Sequence, residues 1–158
     1  MSRTVVGATF AAAPASEGQA EDVYVSVVVP IYNEEDCIPD LLGKLTASLE
    51  RVGKPWEIIC VDDGSRDDSF DLLRAEHARD GRIKAIRFRR NFGQTPAFTA
   101  GFDAAAGKWI VTIDADLQND PDDIPAMLTK AEEGFDIVSG WRTNRQEDRK
   151  STRLNSSH

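Results

Sequence analysis

Apolar and polar positions along this chain fall into blocks. Val23–Val29 (VYVSVVV) is β-branched and nearly all apolar, which predicts a strand that Pro30 ends. Ile38, Leu41, Leu42, Leu45, Leu49 and Val52 then recur at helical spacing, the stripe of an amphipathic helix. Trp56–Val61 (WEIICV) predicts a second strand, followed by an Asp62-Asp63-Gly64 turn. Ser65 and Asp68 have the spacing of a capping box for the next helix. Ile83–Phe88 reads as a third strand, Thr95–Ala106 as a helix closed by Gly107, and Trp109–Ile113 as a fourth strand. Pro121 opens a further helix that Gly134 ends, and Asp136–Ser139 reads as a short fifth strand. The strand blocks are continuously apolar, so both faces of the sheet are expected to be buried. That pattern predicts an α/β fold, a mostly parallel sheet with helices on both faces.

The two ends lack this organisation. Residues 1–22 are rich in Ala, Ser, Gly and Thr without a sustained period, and a disordered leader is expected there. Arg3 and Ala13-Pro14-Ala15 faintly resemble a secretory signal, but Thr and Gly interrupt its apolar stretch. Residues 148–158 (DRKSTRLNSSH) have no apolar period and read like a translated sequencing adapter. Natural sequence is expected to stop near Glu147, leaving one domain over residues 23–147.

Composition narrows the function. Apolar residues are 41% and charged residues 29% of 158, an ordinary globular balance. The net charge of −8 argues against a generally basic nucleic-acid binder. Cys37 and Cys60 lie far apart and suit two reduced thiols of a cytosolic protein. With only His77 and His158, a histidine-rich zinc site is excluded. Neither a P-loop nor a G-x-G-x-x-G turn occurs, and G-x-S-x-G is absent too. No apolar run approaches the roughly 18 residues of a membrane-spanning helix.

Each of the first four strands hands over to a polar cluster at its carboxyl end. These are Pro30-Ile31-Tyr32-Asn33-Glu34, Asp62-Asp63-Gly64-Ser65, Arg89-Arg90-Asn91-Phe92-Gly93-Gln94 and Asp114-Ala115-Asp116-Leu117-Gln118. In an open parallel sheet such ends share one edge, where ligands bind. Asp114-x-Asp116 suits a hard divalent cation held through oxygen, with water and substrate phosphates completing its shell; its other reading is a capping loop before Pro121. Asp62 or Asp63 can accept hydrogen bonds from a nucleobase edge, although Asp63-Gly64 is also a common turn. Tyr32 can lie against a base or anchor its loop; Glu34 can bond a ribose or cap a helix. Arg87, Arg89, Arg90, Arg142 and Arg145 can clamp phosphates or simply face solvent.

In order, VVVPIYNEE, VDDGSRD, RRNFGQTPAFTAGFDAAAG, IDADLQNDP and GFDIVSGWR resemble the inverting family 2 glycosyltransferases. Within that family the stretch from Val25 to about Arg145 is most similar to the dolichyl- or polyprenyl-phosphate sugar transferases. The resemblance implies a nucleotide-diphospho-sugar transferase (GT-A) fold and an inverting transfer. The implied donor is a UDP- or GDP-sugar, the implied acceptor a polyprenyl or dolichyl phosphate at the cytoplasmic face of a membrane, and the implied cofactor Mg²⁺ or Mn²⁺. By position, Pro30, Tyr32 and Glu34 match the nucleotide-binding segment, Asp62 matches the aspartate that faces the base, with Asp63 beside it, and Asn91 falls in a further donor-binding segment. Asp114 and Asp116 match the metal and sugar-diphosphate motif, Gln118 the glutamine that approaches the metal, and Arg142 an arginine near the phosphates. The family's acceptor-side region would lie beyond Arg145, so a fragment that binds donor without transferring sugar is the competing expectation. A metal-dependent phosphatase would also use Asp-x-Asp, but gives Tyr32 to Glu34 no role.

Overall fold

The computed structural model describes residues 4–6, 22–116, 119–134 and 137–138. Its elements in chain order are β1 (Thr4–Val6), β2 (Val25–Ile31), α1 (Ile38–Val52), β3 (Trp56–Asp62), α2 (Ser69–Arg79), β4 (Ile83–Arg87), α3 (Gln94–Ala104), β5 (Trp109–Thr112), a 3₁₀ turn (Pro121–Asp123), α4 (Ile124–Glu132) and β6 (Ile137–Val138). The strands form one sheet in the order β4-β3-β2-β5-β1-β6, and every pairing is parallel.

Side-chain alternation divides the core into two layers. Val27 and Val29 of β2, Ile58 and Cys60 of β3, and Val111 of β5 join the stripe of α1, Leu73 of α2, and Ile124 and Leu128 of α4. Val28, Ile59, Val61 and Ile110 point the other way, onto Ala97 of α3. That is the two-faced burial the continuous apolar runs imply. α3 sits close because Gly101 has no Cβ; one added there would collide with Val28 Cγ1.

Four local expectations change. Thr4–Val6 lies inside the expected disordered leader yet forms β1, parallel to both β5 and β6. Pro30 does not end its strand; it pairs with Val61, and β2 continues to Ile31. The Ile31 carbonyl accepts from β3 (Asp63 N, 2.8 Å), whereas the Val28 carbonyl accepts from the β5 side (Ile113 N, 3.2 Å). By that alternation the Pro30 nitrogen faces the β5 side, past the last β2–β5 pair, Val28 with Thr112. A missing N–H costs no ladder bond there. Helix α3 stops at Ala104, and Gly107 serves tight packing instead of closure: a Cβ would stand 2.6 Å from both the nitrogen and Oγ of Ser26. Ser65 does not cap α2; Asp68 is the N-cap residue and its side chain makes no capping bond.

The amino edge of the sheet carries two carboxylates that each accept from three donors. Glu57, 2% exposed, accepts from Ser26 Oγ (2.6 Å), Ala106 N (2.7 Å) and Lys84 Nζ (2.7 Å). Burial pushes its carboxyl up, but these donors outweigh it and hold the group below its ordinary value. Ser26 Oγ in turn accepts from Gly107 N (2.8 Å), which ties the α3–β5 connection to β2. Glu132 Oε1, at the end of α4, accepts from Tyr24 OH (2.9 Å), Trp109 Nε1 (3.0 Å) and Lys108 Nζ (3.3 Å). Burial and then the Glu132 bond push the Tyr24 hydroxyl up to about 12.

Candidate functional site

At the opposite edge the carboxyl ends of β2, β3, β4 and β5 bring four polar segments together. The first two are zipped to each other. Asn33 takes a left-handed φ of 52°, a conformation asparagine tolerates better than most residues. Its nitrogen donates to Ser65 Oγ (2.9 Å) and its Oδ1 accepts from Arg66 N (2.8 Å). Glu34 N donates to Ser69 Oγ (2.9 Å), Glu35 N to Asp67 Oδ2 (3.2 Å), and Asp68 N to Glu35 Oε2 (2.9 Å). The two loops therefore hold each other through five bonds that involve side chains. Sequence reasoning gave no role to Asn33, Glu35, Asp67 or Ser69; the only signal was the density of Asn, Ser and Asp, the residues that bond nearby backbone.

Adjacent aspartates at the end of β3 have different tasks. Asp62 is fully buried, and its Oδ1 accepts from Ser65 N (3.1 Å). Its Oδ2 has no hydrogen-bond partner among the described residues; Arg87 Nε stands 3.7 Å away. Asp63 is almost as buried but heavily engaged: Oδ1 accepts from Phe92 N (2.7 Å), and Oδ2 accepts from Gly93 N (3.0 Å) and Asn91 Nδ2 (3.1 Å). Gly64, at φ 75°, completes the seat, because a Cβ there would collide with the backbone of Arg90 and Asn91.

Two recesses open beside these loops. One, about 520 Å³, is lined by Tyr32, Gly64, Ser65, Phe88, Asn91 and four arginines, Arg66, Arg87, Arg89 and Arg90. The other, about 460 Å³, is lined by Pro30, Ile31, Tyr32, Glu34, Asp63, Asn91, Gly93, Gln94, Asp114, Ala115 and Asp116. Tyr32 and Asn91 border both. The first recess is walled by cations and the second by carboxylates. Among the described residues, the exposed large apolar side chains are Tyr32, which borders both recesses, and Phe92, between the lining residues Asn91 and Gly93. The negative field of the second recess is felt by the half-buried Cys37. Burial pushes its thiol up first, and Glu34, Asp36 and Asp116 add to the rise. Cys60 is fully buried in β3, its thiol pushed up to about 12 by burial.

Asp114, half-buried, and Asp116, exposed, stand where β5 ends. Gln94, the first residue of α3, donates from Nε2 to Asp114 Oδ1 (3.1 Å). The following loop is pinned to α1 by Ser48 Oγ on the Pro121 carbonyl (2.5 Å) and Arg51 on Asp122 (2.9 Å). Asp120 caps the 3₁₀ turn by accepting from Asp122 N (2.9 Å). Capping therefore falls to Asp120, and Asp114-x-Asp116 is not the cap. No cage of three or more His, Cys, Asp or Glu exists among the described residues. The donor set at this edge is oxygen, which fits Mg²⁺ or Mn²⁺ bound mainly through substrate phosphates and water.

The profile of the family described as "Glycosyl transferase family 2" matches residues 26–158. The chain belongs to glycosyl transferase family 2. Undecaprenyl-phosphate 4-deoxy-4-formamido-L-arabinose transferases of Salmonella dublin and Salmonella enteritidis PT4 are each 48% identical to it over 124 residues. The aligned part is 78% of this chain and 38% of each relative, so the chain matches well under half the length of these relatives. Two solved structures are similar in shape at 23% identity. S. aureus TarS 1-349 superposes with a TM-score of 0.56 over 70% of this chain and 33% of its own. The mannosyltransferase PcManGT of Pyrobaculum calidifontis, solved with GDP-Man and Mn²⁺, gives 0.55 over 71% and 35%. The architecture is thus the GT-A type.

Of the residues that the family 2 resemblance singles out, Pro30, Tyr32, Glu34, Asp63, Asn91, Asp114 and Asp116 line one recess. Asp62 is buried beside the arginine-walled one. Gln118 and Arg142 lie outside the described residues, as do Arg145 and residues 148–158. No described helix is long and apolar enough to cross a membrane.

Proposed function

We propose that this domain binds a UDP- or GDP-sugar and that the whole protein transfers the sugar, with inversion, to a polyprenyl phosphate. The observation that carries the reading is Asp62 Oδ2, buried without a hydrogen bond and 3.7 Å from Arg87 of the arginine-walled recess, with a second recess alongside that has carboxylates at Asp114 and Asp116. An ionised carboxylate only accepts and a guanidinium only donates. Side by side they read an N–H adjacent to a carbonyl. Uracil and guanine present that edge; cytosine and adenine do not. Tyr32, shared by both recesses, supplies an aromatic face for the base. The arginines oppose the negative charge of the nucleotide.

The acidic recess would hold the diphosphate end. Asp114 and Asp116 would hold Mg²⁺ or Mn²⁺ there, a cation that when bound neutralises the diphosphate leaving group. Likeness to an Mn²⁺-bound mannosyltransferase of the same fold supports this reading. The relatives' name supports a lipid-phosphate acceptor, and hence work at a membrane surface, on its cytoplasmic face in this reading. A phosphate monoester has a second pKa of about 6, so it is largely ionised at neutral pH and needs no strong general base. Catalysis would then rest on positioning and charge neutralisation, with Asp62 and Arg87 orienting the base.

The test is calorimetric titration of the chain with UDP and with GDP, with and without Mn²⁺. One nucleotide binds, at least about ten-fold tighter with the metal. Asp116→Asn abolishes the metal dependence and leaves the melting temperature unchanged. A folded chain that binds neither nucleotide rejects the reading. The 38% span favours a second reading, donor binding by this chain without transfer. Sugar transfer by this chain to a polyprenyl phosphate would reject that one.

A further inference from the structure

From sequence, Asp62 is expected to face the base and Asp63, beside it, to belong to the same nucleotide-sugar site. The geometry points to a different assignment for the second. We propose that Asp63 is a positioning residue: it fixes the 91–93 loop, and through Gly93 and Gln94 it orients Asp114. The proposal rests on the donor-site reading and adds to it the element that shapes the acidic recess.

Asp63 is 5% exposed, and its two oxygens already accept three N–H groups, at 2.7, 3.0 and 3.1 Å. A carboxylate offers about four acceptor positions, so little capacity is left for a ligand. Its neighbour Asp62 keeps a whole oxygen without a hydrogen bond. The three donors come from consecutive residues, Asn91, Phe92 and Gly93. Asn91 Nδ2 also approaches the Asp63 carbonyl (3.3 Å), which closes a ring around the side chain. Gly64 removes the one atom that would hold this loop away. Gly93 has a φ of 105°, a conformation open to glycine and strained for other residues, and the next residue begins α3. That residue is Gln94, whose amide donates to Asp114 Oδ1. One buried carboxylate thus sets the loop, the loop sets the start of the helix, and the first helical side chain orients a metal-site aspartate. Asp63 touches no reacting atom in this scheme.

Three proteins test it: wild type, Asp63→Asn and Gln94→Ala. The readouts are amide hydrogen exchange at Phe92 and Gly93, and Mn²⁺-dependent binding of UDP and GDP. Asp63→Asn keeps the side chain's shape but replaces one acceptor oxygen with a donor. Exchange at Phe92 and Gly93 should rise at least about ten-fold, and metal-dependent affinity should fall by about the same factor. Gln94→Ala is an exposed change that cannot unfold the domain. It should weaken Mn²⁺-dependent binding several-fold while leaving exchange at Phe92 and Gly93 unchanged. Lost binding with unaltered exchange in Asp63→Asn would make Asp63 a ligand and overturn the proposal. Unaltered Mn²⁺ dependence in Gln94→Ala would break the relay, and would do so even if Asp63→Asn failed to fold. A wild-type chain that binds neither nucleotide rejects the donor site itself, a result separate from either of these.

Discussion

At the amino edge of the sheet, Glu57 and Glu132 each collect three donors; at the carboxyl edge, Asp62 keeps a buried oxygen with none. Both edges place carboxylates against strand ends and have cations nearby. The difference is whether the fold itself completes the hydrogen bonding. Glu57 joins β2, β3, β4 and the α3–β5 connection, and its charge is satisfied by the protein. Asp62 is held by Ser65 on one oxygen, and Arg87 approaches the other only to 3.7 Å. A buried acceptor oxygen without a donor costs stability. The Asp62 oxygen sits at the edge where four polar loops converge, the place to which the proposed function brings a nucleotide. Three buried side-chain polar atoms lack partners among the described residues; the other two, on Trp56 and Thr112, belong to neutral groups.

The comparison breaks most visibly at Glu57. Glu57→Ala strands Lys84, Ser26 and the Ala106 amide, and should cost about 3 kcal/mol in urea unfolding, with nucleotide affinity unchanged in the folded fraction. The wild type should show the matching acid sensitivity. The folded-state pKa of Glu57 lies below its ordinary value of 4.5. Its contribution is therefore fully present above that value and is lost as pH falls through the lower folded-state one. Urea midpoints measured from pH 6 downward check this, and a Glu57→Gln chain should lose less stability over that range. The next effect has the opposite character. Asp62→Asn should leave the melting temperature equal or higher, because a buried acceptor without a hydrogen bond is replaced, yet weaken nucleotide binding about ten-fold or more. A stability loss as large as that of Glu57→Ala would place Asp62 with the structural carboxylates. The smallest change is Tyr24→Phe. It removes one of three donors to a half-exposed carboxylate and should shift stability by under about 1 kcal/mol.

Much of the scaffold was legible because burial leaves period in a sequence. The α1 stripe and the continuous runs of β2, β3 and β5 appear where the apolar pattern puts them. Misreadings arose where one residue type has two physical uses. Pro30 reads as a stop, but a strand with its nitrogen past the neighbouring ladder's end tolerates it. Gly107 reads as a helix terminator, but its missing Cβ admits Ser26. Ser65 has capping spacing, yet it spends its hydroxyl on Asn33 in another loop, 32 residues away in sequence. Thr4–Val6 is too short to show a period, and its pairing with β5 joins segments about a hundred residues apart. At the site, the polar clusters announced the edge, and Asp114 and Asp116 stand on it where the strand pattern puts them. The division of labour between Asp62 and Asp63 was not legible, because adjacent identical side chains differ only in which loop folds over them.

The five-bond zip between residues 33–35 and 65–69 has a consequence for how such sites change. Each loop supplies side chains that satisfy the other's backbone, so neither has a complete set of partners alone. A graft that moves the Tyr32–Glu35 segment into another scaffold without its Ser65–Ser69 counterpart transplants half of a mutual contract. For anyone moving this edge of the sheet into another protein, the unit of exchange is the pair of loops.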